Sequence, residues 1–171
     1  MSVGSDKTGT PAGLARLCEE LHPRLVGFLG LHTGSREAGE DLAQDTLERV
    51  CANWRTLASH PSPENWAFRV AINLATTRRR WWGRRQRFTQ ASSMPEEAAG
   101  DVAQAVDLQR QLVSLPARER SALICRFYLD LSVADTAAVM GCPVNTVKTL
   151  TRSALSRLRI ASPTEQMTHG N

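Results

Sequence analysis

Apolar residues recur along this chain at three- and four-residue steps, the period of a helix with one buried face. The first block runs through Leu14, Leu17, Leu21, Leu25, Phe28 and Leu29, with His22-Pro23 as a place where the helix breaks or kinks. A second covers residues 36–57, where Ala43, Leu47, Val50 and Trp54 form one stripe behind Ser35 as N-cap and Glu37 in the first turn. A third starts at Ser62-Pro63 and runs from Glu64 towards Arg80, with Trp66, Val70, Ala71 and Leu74 facing inward. The pattern resumes near Asp101 with Val102, Val106, Leu112 and Val113. Pro116 opens another helix through Leu123, Ile124 and Phe127, and two short helices follow, ending near Arg159. No segment alternates as a strand would. The expected fold is all-α.

Between the third and fourth blocks the composition changes. Residues 89–107 carry four acids and no Lys or Arg, with Pro, Gly and Ser early in the stretch. This places a linker at 89–100 between a module at 14–88 and a module at 101–160, with tails at 1–13 and 161–171.

Charge and cysteines narrow the function classes. The net charge of +4 is a mild sign of a polyanionic partner. No apolar run approaches the roughly 18–20 residues of a membrane span, and the N-terminus has no signal-peptide pattern, so no membrane insertion and a cytoplasmic location are expected. Cys18, Cys51, Cys125 and Cys142 are scattered, without metal-ligand spacing. They read as reduced thiols, and no metal or cofactor is expected. His22, His32, His60 and His169 form no catalytic or ligand grouping, and there is no Gly-rich phosphate loop. No catalytic residue is assigned, and the chain is not expected to be an enzyme.

The sharpest local signal is "VADTAAVMGCPVNTVKTLTRSALSRLR". A helix-turn-helix needs a small residue at the helix contact, a Gly at the turn and apolar residues inside the second helix. Ala137, Gly141, Val147 and Leu150 fill those places. The second helix begins near Pro143 and has no acid from Val144 to Ala161. Asn145, Thr146, Lys148, Thr149 and Arg152 are the candidates for base edges in a major groove, with later arginines on phosphate. A plain helical hairpin with a solvated basic face would share part of this pattern.

Two further faces carry chemistry. Arg78, Arg79, Arg80, Arg84, Arg85 and Arg87 surround Trp81, Trp82 and Phe88, which suits phosphate binding and stacking on unpaired bases. The same segment could be a solvated face whose tryptophans plug a core. Asp41, Gln44, Asp45 and Glu48 form an acidic helix face that would repel DNA. Its partner would be a basic protein surface, unless the face is simply solvated.

Three stretches in order resemble the sigma-70 family of bacterial RNA polymerase sigma factors, in its extracytoplasmic-function (ECF, group 4) branch. "EDLAQDTLERV" is similar to the family's region 2.2, and "NWAFRVAINLATTRRR" to regions 2.3–2.4. Residues Leu115–Arg159 resemble region 4, and the Ala- and Arg-rich composition resembles actinobacterial proteins. The resemblance implies a region 2 helical bundle and a region 4 helix-turn-helix joined by a flexible linker, directing promoter-specific transcription initiation. It implies that Asp41, Gln44, Asp45 and Arg49 dock on the clamp of the largest subunit of core RNA polymerase. Asn65, Trp66, Arg69, Asn73, Arg78, Arg79 and Arg80 would read the −10 element as a single strand. Arg126 and the recognition helix would read the −35 duplex. An anti-sigma protein is a common partner in the family. The pattern departs from the family at Thr136, where Ile is frequent, at Leu150, where a polar or basic residue is frequent, and at Ser153, where Arg is common. A stand-alone helix-turn-helix regulator is the alternative, although it leaves the acidic face and the Arg/Trp segment unused.

Overall fold

The computed structural model describes residues 10–85 and 100–161, with side chains described for 10–77 and 107–158. These form helices α1 (Pro11–Thr33), α2 (Arg36–Ala52), α3 (Trp54–Leu57), α4 (Pro63–Arg85), α5 (Gly100–Ser114), α6 (Ala117–Phe127), α7 (Val133–Met140) and α8 (Val144–Ala161), with no strand among the described residues. The expected linker at 89–100 and the tail at 161–171 lie outside them but for Gly100 and Ala161, whereas Thr10–Gly13 of the expected N-terminal tail already cap and open α1.

Local chemistry explains the boundaries. Thr10 caps α1 by accepting from Gly13 N at 3.3 Å, and Pro11 opens the helix. The helix runs unbroken past Pro23, so of the expected break or kink the break does not occur. Pro23 lies on the exposed side, so the carbonyl it cannot pair faces water rather than the core. Gly34 ends α1 in the left-handed region at φ 80°, and Ser35 immediately caps α2. This two-residue corner sends α2 back along α1. Gly39 lets the pair close: a Cβ there would lie 2.6 Å from Gly30 N. The second block is divided, with α2 ending at Ala52 and a one-turn α3 after Asn53.

Leu17, Leu21, Leu25, Phe28 and Leu29 of α1 pack on Leu42, Ala43 and Val50 of α2. From α4 the buried residues are Ala67, Phe68, Ala71 and Ala75, whereas Trp66 and Leu74 are half-buried at the edge. The inward face of α4 is therefore turned one residue from the one expected. Arg24 fastens this corner, its guanidinium 5.2 Å from the Phe68 ring centre and 2.9 Å from Glu64 Oε2.

The second module does not stand apart. Ile124, Cys125, Leu129 and Val139 join the same core, while Leu112, Leu115, Leu123 and Ala154 form a smaller one. Ser121 Oγ donates to Ala117 O at 2.9 Å, so its contact with His32 Nε2 at 3.0 Å has the imidazole N–H as donor. The buried Arg120 guanidinium donates to His32 O and also to Val113 O and Leu115 O, tying α1 to the start of α6. Tyr128 lays its hydroxyl over Gly27, where any Cβ would strike it. Burial holds the Cys125 thiol up at about 12. Burial, then the neighbouring Cys51, raises Cys18 to about 11.

Thr136 is fully buried in α7, and its hydroxyl has no hydrogen-bond partner among the described residues. Leaving such a group unpaired costs about 1–3 kcal/mol. Thr136→Val keeps the shape and is expected to raise stability by roughly 1 kcal/mol, read as a higher urea midpoint at unchanged slope.

Candidate nucleic-acid interface and acidic docking face

The helix-turn-helix forms as its sequence requires. Ser132 caps α7 by accepting from Asp135 N at 3.0 Å, and Gly141 takes φ 59° to turn the chain towards α8. Ala137 sits at the contact, and Val147 and Ala154 bury the inner face of α8. Leu150 is only half-buried. On the opposite face Asn145, Lys148, Thr149 and Arg152 are exposed, and Thr146 is half-buried. Thr149 Oγ1 donates to Asn145 O at 3.0 Å, which leaves its lone pairs outward.

Beside this helix runs an open groove of about 640 Å³, lined by Arg126, Phe127, Val133, Lys148 and Arg152 among others. Arg126 is half-buried and donates to Leu131 O, so its charge sits at the groove wall rather than reaching out from it. Phe127, on the helix expected through Leu123 and Ile124, is 63% exposed. It falls four residues after the buried Leu123, but α6 ends there and the chain turns away. An aromatic in the last turn next to an arginine was the signal available for it.

Of the candidates for single-stranded DNA, Asn65 and Trp66 are half-buried while Arg69 and Asn73 are exposed. All four project from the first half of α4. Arg78, Arg79 and Arg80 continue the same helix, and their side chains lie outside the described residues, as do those of Trp81, Trp82 and Phe88. The Arg69 guanidinium lies beside the helix-turn-helix corner: a Cβ on Gly141 would be 3.1 Å from its Nη2.

On α2, Asp41, Gln44, Asp45 and Arg49 are all exposed. Gln44 Nε2 is 3.5 Å from Glu48 Oε1, and Glu40 pairs with Arg36 at 2.8 Å. Asp41 and Gln44 border a cleft of about 950 Å³ whose other wall includes Gln109 and Tyr128 of the second module. Acidic and basic faces thus sit on separate helices, α2 against α8. Among the described residues no group of His, Cys, Asp and Glu could hold a metal ion. No helix there is long and apolar enough to cross a membrane.

Comparisons with known proteins give the same order of parts. The family model described as Sigma-70 region 2 matches residues 17–91, and that described as Sigma-70, region 4 matches residues 105–158. The chain is 31% identical over 125 residues to the RNA polymerase sigma-E factor of Streptomyces coelicolor, covering 70% of this chain and 69% of that protein. It is 29% identical over 161 residues to the ECF RNA polymerase sigma factor RpoE of Cereibacter sphaeroides, covering 86% and 85%. Among solved structures, the sigma factor RpoE in complex with the anti-sigma factor NepR from Bartonella quintana matches with a TM-score of 0.71 at 25% identity. That likeness covers 85% of this chain and 94% of the other. With a region 2 and a region 4 in order on one all-helical chain, and with these relatives, the chain belongs to the extracytoplasmic-function group of the sigma-70 family of RNA polymerase sigma factors.

Proposed function

We propose that this chain brings core RNA polymerase to promoters by dividing the work among three helices. The acidic face of α2 grips the clamp of the largest polymerase subunit through Asp41, Gln44, Asp45 and Arg49. The α4 residues Asn65, Trp66, Arg69, Asn73, Arg78, Arg79 and Arg80 hold the −10 element as a single strand. Lys148, Thr149, Asn145, Thr146 and Arg152 of α8, with Arg126 beside them, read the −35 duplex. Residues 14–88 form the polymerase and −10 module, and 101–160 the −35 module. The single observation that carries this is the exposed, acid-free outer face of α8 opposite a buried Val147 and Ala154. Unpaired bases expose their pairing edges, and extruding one costs a few kcal/mol. Tethering to polymerase and to the −35 duplex offsets that through effective concentration. The chemistry of RNA synthesis belongs to the polymerase. An anti-sigma partner, of the kind present in the Bartonella quintana complex, fits the same reading.

The packed arrangement cannot engage both promoter elements at once. About 25 base pairs at 3.4 Å each separate them by roughly 85 Å. A compact body of this size is only about 40 Å across. In the packed form Arg69 also sits under the corner at Gly141, and Tyr128 overhangs the cleft that Asp41 and Gln44 border. Promoter engagement therefore requires the modules to separate along the His32–Ser121 and Tyr128–Gly27 contacts.

The test is reconstitution. Purified chain mixed with core polymerase should co-elute and yield promoter-specific transcripts. DNA binding without association to core would instead favour a stand-alone regulator. Lys148→Ala is expected to lower discrimination at −35 by about fivefold, or about 1 kcal/mol. An equal loss on every sequence would assign Lys148 to phosphate.

A further inference from the structure

Ser153, where the family commonly carries arginine, does not face the groove. Its hydroxyl donates to Glu119 Oε1 at 2.9 Å. Arg157, one turn further on, brings Nε to 3.0 Å from Glu119 Oε2. Glu119 is only 8% exposed, although it is a carboxylate in the first turn of α6. That location suits its charge, because the unpaired N–H groups of a helix start favour an anion. Ser153 and Arg157 share one flank of α8, about 140° around the axis from the face of Lys148 and Arg152 and about a quarter-turn from the buried face.

The buried face alone fixes the azimuth of α8 poorly. Its fully buried residues, Val147 and Ala154, are small, Leu155 and Leu158 pack beside them only half-buried, and apolar contact is non-directional. The Ser153 hydrogen bond to a held carboxylate is directional, and the Arg157 ion pair adds charge attraction to it. A rotation of about 20° would move groups about 6 Å from the helix axis by roughly 2 Å, enough to break a base contact.

We propose that Glu119, acting through Ser153 and Arg157, is the positioning residue that sets the azimuth of the recognition helix and so determines which −35 sequence this chain prefers. This rests on α8 being the −35 reader. Arg157 is then engaged in holding the helix rather than in binding phosphate, which departs from the expectation for the later arginines. The serine at 153 and the arginine at 157 act as a pair, the hydroxyl supplying direction and the guanidinium charge.

The experiment uses the full chain with core polymerase and a pool of promoters with a fixed −10 region and a randomised −35 hexamer, read by sequencing the transcripts. The wild-type chain should select a definite set of hexamers. Glu119→Gln preserves volume and can still accept from Ser153 but loses the charge for Arg157. Ser153→Ala removes one hydroxyl and tests the same clamp with minimal risk to folding. Each should flatten or shift the preferred set by roughly three- to tenfold, with core affinity unchanged. Arg157→Gln combined with Glu119→Gln should do no more than either alone. Variants that keep the wild-type preferences, merely with lower stability, would overturn the proposal. So would an Arg157→Gln variant that weakens all sequences equally and lowers the salt slope by about 1, the mark of a phosphate contact. A wild-type chain with no hexamer preference would refute the reading of α8 itself, which is a different failure.

Discussion

Asp45→Arg is expected to weaken the complex with core polymerase on the order of a hundredfold, about 3 kcal/mol, without altering the fold. Close charge pairs across interfaces carry roughly 1.5–7 kcal/mol, and a reversal both removes the attraction and adds a like-charge contact. Asp45 is exposed near the middle of α2, while Leu42, Ala43 and Thr46 around it are buried. The substitution therefore changes the outer face only, and a surface exchange of this kind moves stability within about 0.5 kcal/mol. Asp41 and Gln44 lie on the same face, so the loss should be partial for each alone and non-additive together. Titration of labelled core with wild-type and Asp45→Arg chains measures it, with thermal unfolding as the control. Unchanged affinity at unchanged stability would remove α2 from the polymerase interface. The wild-type complex should also weaken with added salt more than the variant's does, because screening weakens an attraction that the variant lacks.

How much of this was legible beforehand follows the range of the forces involved. The cap at Ser35, the positive φ at Gly141 and the inward Val147 follow from local rules, and all three were visible in the chain. The α8 face was legible because a one-signed helix needs no tertiary information. The turn of α4 was not. Ala67 and Ala75 are too small to mark a core face by hydrophobicity, Trp66 draws the stripe two residues away from Phe68, and Ala71 alone belongs to both the expected and the buried face. Pro23 predicts a break or a kink, and its actual effect depends on which side of α1 faces water. Contacts distant in sequence were the least accessible: Ser153 with Glu119 are 34 residues apart, and His32 with Ser121 are 89 apart. No periodicity encodes such pairs. The departure of Ser153 from the family pattern was the one available hint, and its meaning emerged only with the carboxylate opposite it.

The same distance in sequence hid the packing of the two modules. A linker rich in Pro, Gly and Ser suggests independent bodies, yet Ile124, Cys125 and Leu129 complete a core begun by α1. Such an interface holds without being permanent. Among the described residues its polar contacts centre on His32, with Ser121 and Arg120, and the apolar side chains of α1 that it covers already pack on α2 and α4. The cleft beside Asp41 and Gln44 gives a reason for it to yield. A polymerase surface docking on α2 would meet Tyr128 and Gln109, so attachment to core and separation of the modules favour one another.

Locking the modules together is accordingly expected to abolish transcription, by more than about tenfold, from any promoter that needs both elements. Gly34 and Val113 offer the site: a Cβ at Gly34 would lie 3.8 Å from Val113 Cβ, the mean spacing of a disulfide at about 3.8 Å. The same Cβ would be 2.6 Å from Val113 Cγ2, a clash that Val113→Cys removes. Gly34→Cys at φ 80° strains the α1 corner by about 1–3 kcal/mol, which the bond can hold. Cys51 and Cys142 are changed to serine to prevent mispairing. Cys18, whose raised value rests partly on Cys51, is changed to serine as well, and Cys125, at about 12, remains protonated near pH 8 and is a poor nucleophile. Oxidised, the double-cysteine chain should be inactive with core polymerase on such a promoter, and dithiothreitol should restore it. Each single-cysteine chain should ignore the oxidant. Full bonding with undiminished transcription would show that the two modules read a promoter while packed, which the 85 Å estimate forbids for a body roughly 40 Å across.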